Sequence, residues 1–205
     1  MKSLLVLTFL GLTATFASGA SLCDGIAGNI VLNCGFETGD LTDWTVVDPS
    51  NETFVQGPGI LVGVNSGDFT AGLGAVAADG TLSQALNTVP GQTYNFGFWL
   101  ASDGFEQNDF TATWGATNVF SQSSIPAMPY TFFTFSETAT APSTTITFSE
   151  RNDAGFLGLD DVSVVATGAA AAPEPGTFGS CLVLGLVTGG ALLAKRRNGR
   201  FRLQM

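Results

Sequence analysis

The chain has no histidine, and only seven of its 205 residues are lysine or arginine. The first absence removes histidine-based nucleophile triads and leaves carboxylates as the ligands of any hydrolytic metal. The second is sharper than the count suggests. Lys2, Lys195, Arg196, Arg197, Arg200 and Arg202 lie near the two ends, so the body keeps Arg151 alone against 16 of the 17 acidic residues. A body with a net charge of about −15 repels phosphate backbones, which excludes nucleic acid as a partner. It suits cations, neutral sugars and a solvated extracellular surface. Cysteine is also scarce: of three, Cys181 falls in an apolar tail, leaving Cys23 and Cys34 in the body. There is no nucleophile elbow, no phosphate-binding loop, no internal repeat and no body segment of helical period and length.

The two ends of the chain carry strong patterns. Residues 1–20 combine Lys2, an apolar stretch from Leu4 to Phe16 and small residues at Ser18 and Ala20, which reads as a signal peptide. Leu22 stands where a lipidated Cys23 would need a small neighbour. At the other end, 167–177 is a small-residue linker containing Pro173, Glu174 and Pro175. Two prolines deny the backbone the hydrogen bonds of helix or sheet, so the triplet should form an extended, protease-accessible handle. The uncharged run 178–194 follows; at a helical rise of about 1.5 Å per residue it covers roughly 26 Å, enough for a thin hydrocarbon core. The tail 195–205 opens with Lys195, Arg196 and Arg197, which hold a C-terminus in the cytoplasm.

This order of triplet, span and basic cluster resembles the PEP-CTERM sorting signal of bacterial exported proteins. The resemblance implies processing by an exosortase-type membrane enzyme, often alongside exopolysaccharide production. The other reading of the same residues is a membrane anchor that is never cut. Both place the body outside the cell, in the envelope, at the surface or in an extracellular matrix, with the membrane engaged through the tail. In an exported protein a Cys23–Cys34 disulfide is the expected state, with two free thiols as the alternative.

The body, 21–166, reads as all-β. Short β-rich runs are expected at Trp44–Val47, Thr53–Gln56, Ile60–Val64, Gly74–Ala78 and Thr81–Leu86, then at Thr93–Ala101, Phe110–Trp114, Tyr130–Thr138, Thr144–Ser149 and Phe156–Val165. Turn residues separate them at the spacing of two packed antiparallel sheets, a β-sandwich or jelly roll. In Thr93–Ala101 the residues Tyr94, Phe96, Phe98 and Leu100 alternate with Asn95, Gly97 and Trp99.

Two separated pieces, NCGFETGDLTDW (33–44) and GFLGLDDVSVV (155–165), resemble the opening and closing strands of galactose-binding-like jelly rolls, including families of carbohydrate-binding modules. TLSQALNTVPGQTYNFGFWLA (81–101) is similar to the middle of such domains. The resemblance implies a structural calcium held by Glu37 in the opening motif and by Asp160 or Asp161 in the closing one. The alternative is that these carboxylates accept backbone N–H bonds at turns. It also implies sugar binding, which asks for exposed aromatic faces flanked by Asn, Gln, Asp or Thr. Trp99, Trp114 and Phe132 are the candidate platforms, each with core packing as its alternative; Trp44 is assigned to the core. Asp103, Glu106, Gln107 and Asn108 form a polar loop nearby. Glu106, Asp109, Glu137, Glu150 and Asp153 are the raw material for a carboxylate pair, but acids scattered over loops do not make a glycosidase. The sequence therefore describes an exported, non-catalytic jelly roll that binds extracellular polysaccharide, with a structural or adhesion matrix protein lacking a defined glycan as the second reading.

Overall fold

The computed structural model describes residues 19–59, 62–105 and 107–168. Residues 1–18 of the expected signal peptide, the expected Pro-Glu-Pro handle, the apolar run 178–194 and the basic cluster Lys195 to Arg197 lie outside them. Ten strands follow a short 3-10 turn at Cys23–Gly25: β1 (Thr45–Val47), β2 (Thr53–Gln56), β3 (Thr70–Leu73), β4 (Gly80–Asn87), β5 (Thr93–Ser102), β6 (Asn108–Trp114), β7 (Thr117–Ser123), β8 (Met128–Thr138), β9 (Ser143–Asn152) and β10 (Leu157–Ala166). They form two five-stranded antiparallel sheets, ordered β1-β4-β9-β6-β7 and β2-β3-β10-β5-β8. This is an all-β sandwich of jelly-roll kind.

Alternation builds the core between the sheets. Phe110, Ala112 and Trp114 of β6 and Ile146 and Phe148 of β9 point inward from one sheet; Phe96, Phe98 and Leu100 of β5 point inward from the other. Phe98 meets Phe148 edge-on at 5.3 Å between ring centroids, with Phe110 at 5.6 Å. Each such side chain removed from water contributes about 1.5–3 kcal/mol, so this aromatic layer is the main source of cohesion.

Before β1 the chain plugs one open side of the sandwich. Cys23 and Cys34 are joined in a disulfide; closing so short a loop is worth about 2–3 kcal/mol in the chain-entropy account. Asn29 is the clamp. Its Oδ1 accepts from Val164 N (2.9 Å) while its Nδ2 donates to Val162 O (3.2 Å). Cys34 O accepts from Val162 N (2.9 Å). These bonds satisfy β10 where its register shifts between Asp160 and Ser163 and where Asp161 adopts φ 47°.

Two expected strands differ from those observed, and one observed strand was not expected. Ile60–Val64 is not a strand in its described part; Val62 to Asn65 lie in a turn-rich loop where Gly63 takes φ 76°. The run expected at Gly74–Ala78 is paired earlier, at Thr70–Leu73, because Ala75 N is drawn out of the ladder by Glu150. β7, with its polar sequence TNVFSQS, was not expected at all.

Candidate functional site

The second sheet turns an unusual outer face to solvent. Register aligns Asp160 of β10, Trp99 of β5 and Phe132 of β8 in one row; the next holds Ser163, Gly97 and Thr134, and the next Val165, Asn95 and Ser136. Trp99 and Phe132 lie 5.4 Å apart between ring centroids, tilted by 41°. Phe132 is 46 % exposed and Trp99 half-buried, so the pair forms an aromatic step on a rim of Asn95, Thr134 and Ser136.

Two glycines make this step possible. A Cβ on Gly97 would lie 2.8 Å from Phe132 Cζ and 3.1 Å from Ser163 Oγ, so the Phe132 ring leans over bare backbone. Gly158 does the same for Tyr130, whose hydroxyl would meet a Cβ there at 2.4 Å. The phenol thereby crosses β10 to lie within hydrogen-bond distance of Thr70 Oγ1 (2.7 Å) and of Gly63 O (3.1 Å). Burial pushes its ionisation above the ordinary tyrosine range. The result is a fixed wall beside the aromatic step.

The other expected platform requires a correction. Trp114 is 4 % exposed, and its ring packs on Tyr94 (5.6 Å) and Phe96 (6.2 Å) inside the sandwich. It shares strand parity with Phe110 and Ala112, both fully buried, and parity decides which way it points. Trp44 is likewise inside, against Phe36 and Phe148.

The three expected calcium ligands occupy the end of the molecule where the N-terminal plug meets β10. Asp160 and Asp161 are 0 % and 2 % exposed. Asp160 Oδ2 accepts from Asn65 N (2.9 Å) and its Oδ1 from Asp161 N (2.8 Å); Asp161 Oδ2 accepts from Asn65 Nδ2 and Ser66 Oγ (2.7 Å each), and its Oδ1 from Cys23 N (3.0 Å). Burial, reinforced by the neighbouring Asp161, pushes Asp160 up to about 8. Glu37 accepts from the N–H groups of Asp68 and Phe69 at 3.0–3.1 Å, and burial raises it despite those bonds. Buried carboxylates with no facing cation are chemically suited to a hard divalent ion. Yet among the described residues Glu37, Asp160 and Asp161 do not converge: the one group of three Cys, Asp or Glu donors within 4.8 Å of one another is Cys23, Asp24 and Cys34, whose sulfurs are bonded together. The donor chemistry fits, and Glu37 would have to turn to join it.

Of the scattered acids, Asp153 is paired with Arg151 and Glu150 is buried against Ala75 N and Thr53 Oγ1. Glu106 lies outside the described residues. Asn95, Thr134, Ser136, Ser163 and Tyr130 were not singled out from sequence as site residues; the parity of Asn95 with Trp99 was visible, but the neighbours from β8 and β10 depend on strand order.

No protein-family model matches the sequence, and no curated protein is a recognisable relative. Solved structures share its fold. The structure of TmCBM61 in complex with β-1,4-galactotriose superposes with a TM-score of 0.52 at 20 % identity, over 68 % of this chain and 99 % of that one. The C-terminal family 22 carbohydrate-binding module of Clostridium thermocellum Xyn10B gives 0.52 at 15 % identity, over 72 % and 99 %. Such identities establish the shared jelly-roll sandwich.

Proposed function

We propose that this chain is an exported, non-catalytic protein that holds extracellular polysaccharide on the Trp99–Phe132 step. The observation that carries this reading is a solvent-facing aromatic pair, 5.4 Å apart, on an uncharged rim of Asn95, Thr134 and Ser136 in a chain dense with carboxylates. Sugar rings bring apolar C–H faces edged with hydroxyls, and that pairing of aromatic face and neutral hydrogen-bonding rim is what they require. A fold shared with carbohydrate-binding modules supports it.

In the same reading the signal peptide delivers the chain, and an exosortase-type enzyme processes the tail at Pro173, Glu174 and Pro175 before release or attachment at the cell surface. Calcium is the proposed structural ion, held by Asp160 and Asp161 with Glu37 recruited. The ion would supply the positive charge that the buried carboxylates lack. Adding calcium should then raise the melting temperature of metal-stripped protein; no shift removes the ion from the account.

Binding is tested by glycan array with the purified full-length chain and two variants. Trp99→Ala and Phe132→Ala should each weaken retention about tenfold or more, the value of one lost aromatic contact, while the melting temperature stays near that of the parent. Retention that survives both changes refutes the assignment.

A further inference from the structure

A second polar groove opens at the end of the first sheet, where β6, β7 and β9 meet the loops after β5 and β7. Two adjoining cavities of about 490 and 370 Å3 share Gln107 and Ser124 as lining residues. Both volumes fall in the range of about 300–1,000 Å3 usual for small-ligand sites. One cavity is flanked by Phe105, which is 56 % exposed, and the other by Asp109, Arg151 and Asp153.

We propose that this groove binds a cationic amino-sugar unit of a polysaccharide, with Phe105 as the stacking face and Asp109 as the counter-ion. The aromatic is held in place. Phe105 N donates to Asp103 Oδ1 (3.0 Å), Phe105 O accepts from Asn108 Nδ2 (2.9 Å), and Asn108, 2 % exposed, is itself tied to Ile125 N (2.6 Å). Phe105 therefore remains in solvent on a fixed backbone, where an ammonium-bearing ring gains both C–H stacking and cation–π attraction.

Acids outnumber the one base along this cavity. Arg151, the sole base of the body, is spent on Asp153, whose other oxygen accepts from Ala77 N (2.8 Å). None of the described residues donates a hydrogen bond to the Asp109 carboxylate; burial and the charges of Asp79 and Asp153 raise it, against the pull of Arg151. Beneath the Phe105 loop, Asn152 is 0 % exposed, and among the described residues neither its side-chain oxygen nor its nitrogen has a partner. Its Oδ1 and that of Asp103 both lie 2.8 Å from where a Gly155 Cβ would stand, and Phe105 Cβ lies 2.6 Å from the same point. An ammonium group adds positive charge and donors where Asp109 and Asp153 face Arg151 alone. A uronic-acid polymer is repelled by the same field, and a neutral one draws nothing from it.

This site is independent of the Trp99–Phe132 step, so the two can fail separately. The test is calorimetric titration of the purified full-length chain with a glucosamine hexamer carrying free, protonated amines and with its fully N-acetylated counterpart. The charged hexamer should bind about tenfold or more tightly than the acetylated one, as expected when a charge-assisted contact is lost, and its affinity should fall with added salt. Asp109→Asn and Phe105→Ala should each lose that preference, whereas Asp43→Asn, an exposed acid outside the groove, should keep it. Equal affinity for both hexamers, or an Asp43→Asn loss as large as that of Asp109→Asn, overturns the proposal. So does an undiminished preference in a folded Asp109→Asn variant.

Discussion

Glu150, two residues before the end of β9, has 1 % of its surface exposed, its carboxylate set against Ala75 N and Thr53 Oγ1. Burial outweighs these donors and pushes it up to about 7, from an ordinary 4.5. The folded state therefore holds a proton that the unfolded chain gives up sooner. Stability from this group is fully present below about pH 4.5 and is lost as pH rises to about 7. Glu150→Gln removes the titration but keeps an acceptor for Ala75. Between pH 8 and pH 5 the parent should gain stability over this variant by an amount on the order of 2 kcal/mol, read from denaturant midpoints at the two pH values; a constant difference would contradict the assignment. How far single residues could be read from sequence depended on parity. Trp99 shares its face with Asn95, and so could be placed outward. Trp114 shares its face with Phe110 and Ala112, and that parity should have kept it in the core. Glu150 shares its parity with Ile146 and Phe148, which points it inward, but the sequence does not show that the Ala75 loop and Gly80 close over it; a Cβ on Gly80 would lie 2.6 Å from Glu150 Oε1.

Strands β5, β8 and β10 act together through what their glycines omit. Gly158→Ala would drive a methyl into the Tyr130 hydroxyl and Val62 Cγ2, at 2.4 and 2.5 Å, and the hydroxyl is held by Thr70 and Gly63. Overpacking of this kind costs about 1–3 kcal/mol, measurable as a lowered melting temperature. Gly97→Ala meets only the far end of the Phe132 ring and Ser163 Oγ, which can shift. It should leave the melting temperature within a few degrees of the parent yet weaken glycan retention. A Gly97→Ala variant that binds as well as the parent would show that the ring position is immaterial. Strands with alternating large apolar residues, such as β5 and β9, were legible from sequence. β7 was not: its TNVFSQS offers only Val119 and Phe120 as partly buried apolar residues, and pairing with β6 rather than propensity makes it a strand. The displaced β3 has the same origin, since all four residues of TAGL are buried and no alternation marks their ends.

Across the whole molecule, the sequence-level picture of an anionic β-domain and the observed sandwich agree, but strand order is what turns scattered residues into surfaces. β8 and β5 are neighbours although far apart in the chain, and only that adjacency sets Phe132 against Trp99. The same geometry supplies a built-in reporter. The chain has three tryptophans; Trp44 and Trp114 are 8 % and 4 % exposed, which leaves Trp99 as the half-buried one on the proposed binding face. Polysaccharide stacking there must dehydrate one indole and leave the other two unchanged. The measurement is tryptophan emission of the full-length chain, titrated with a polysaccharide that retains it on an affinity gel. The account predicts a saturable blue shift that disappears in Phe132→Ala; retention on the gel with emission unchanged throughout would contradict it.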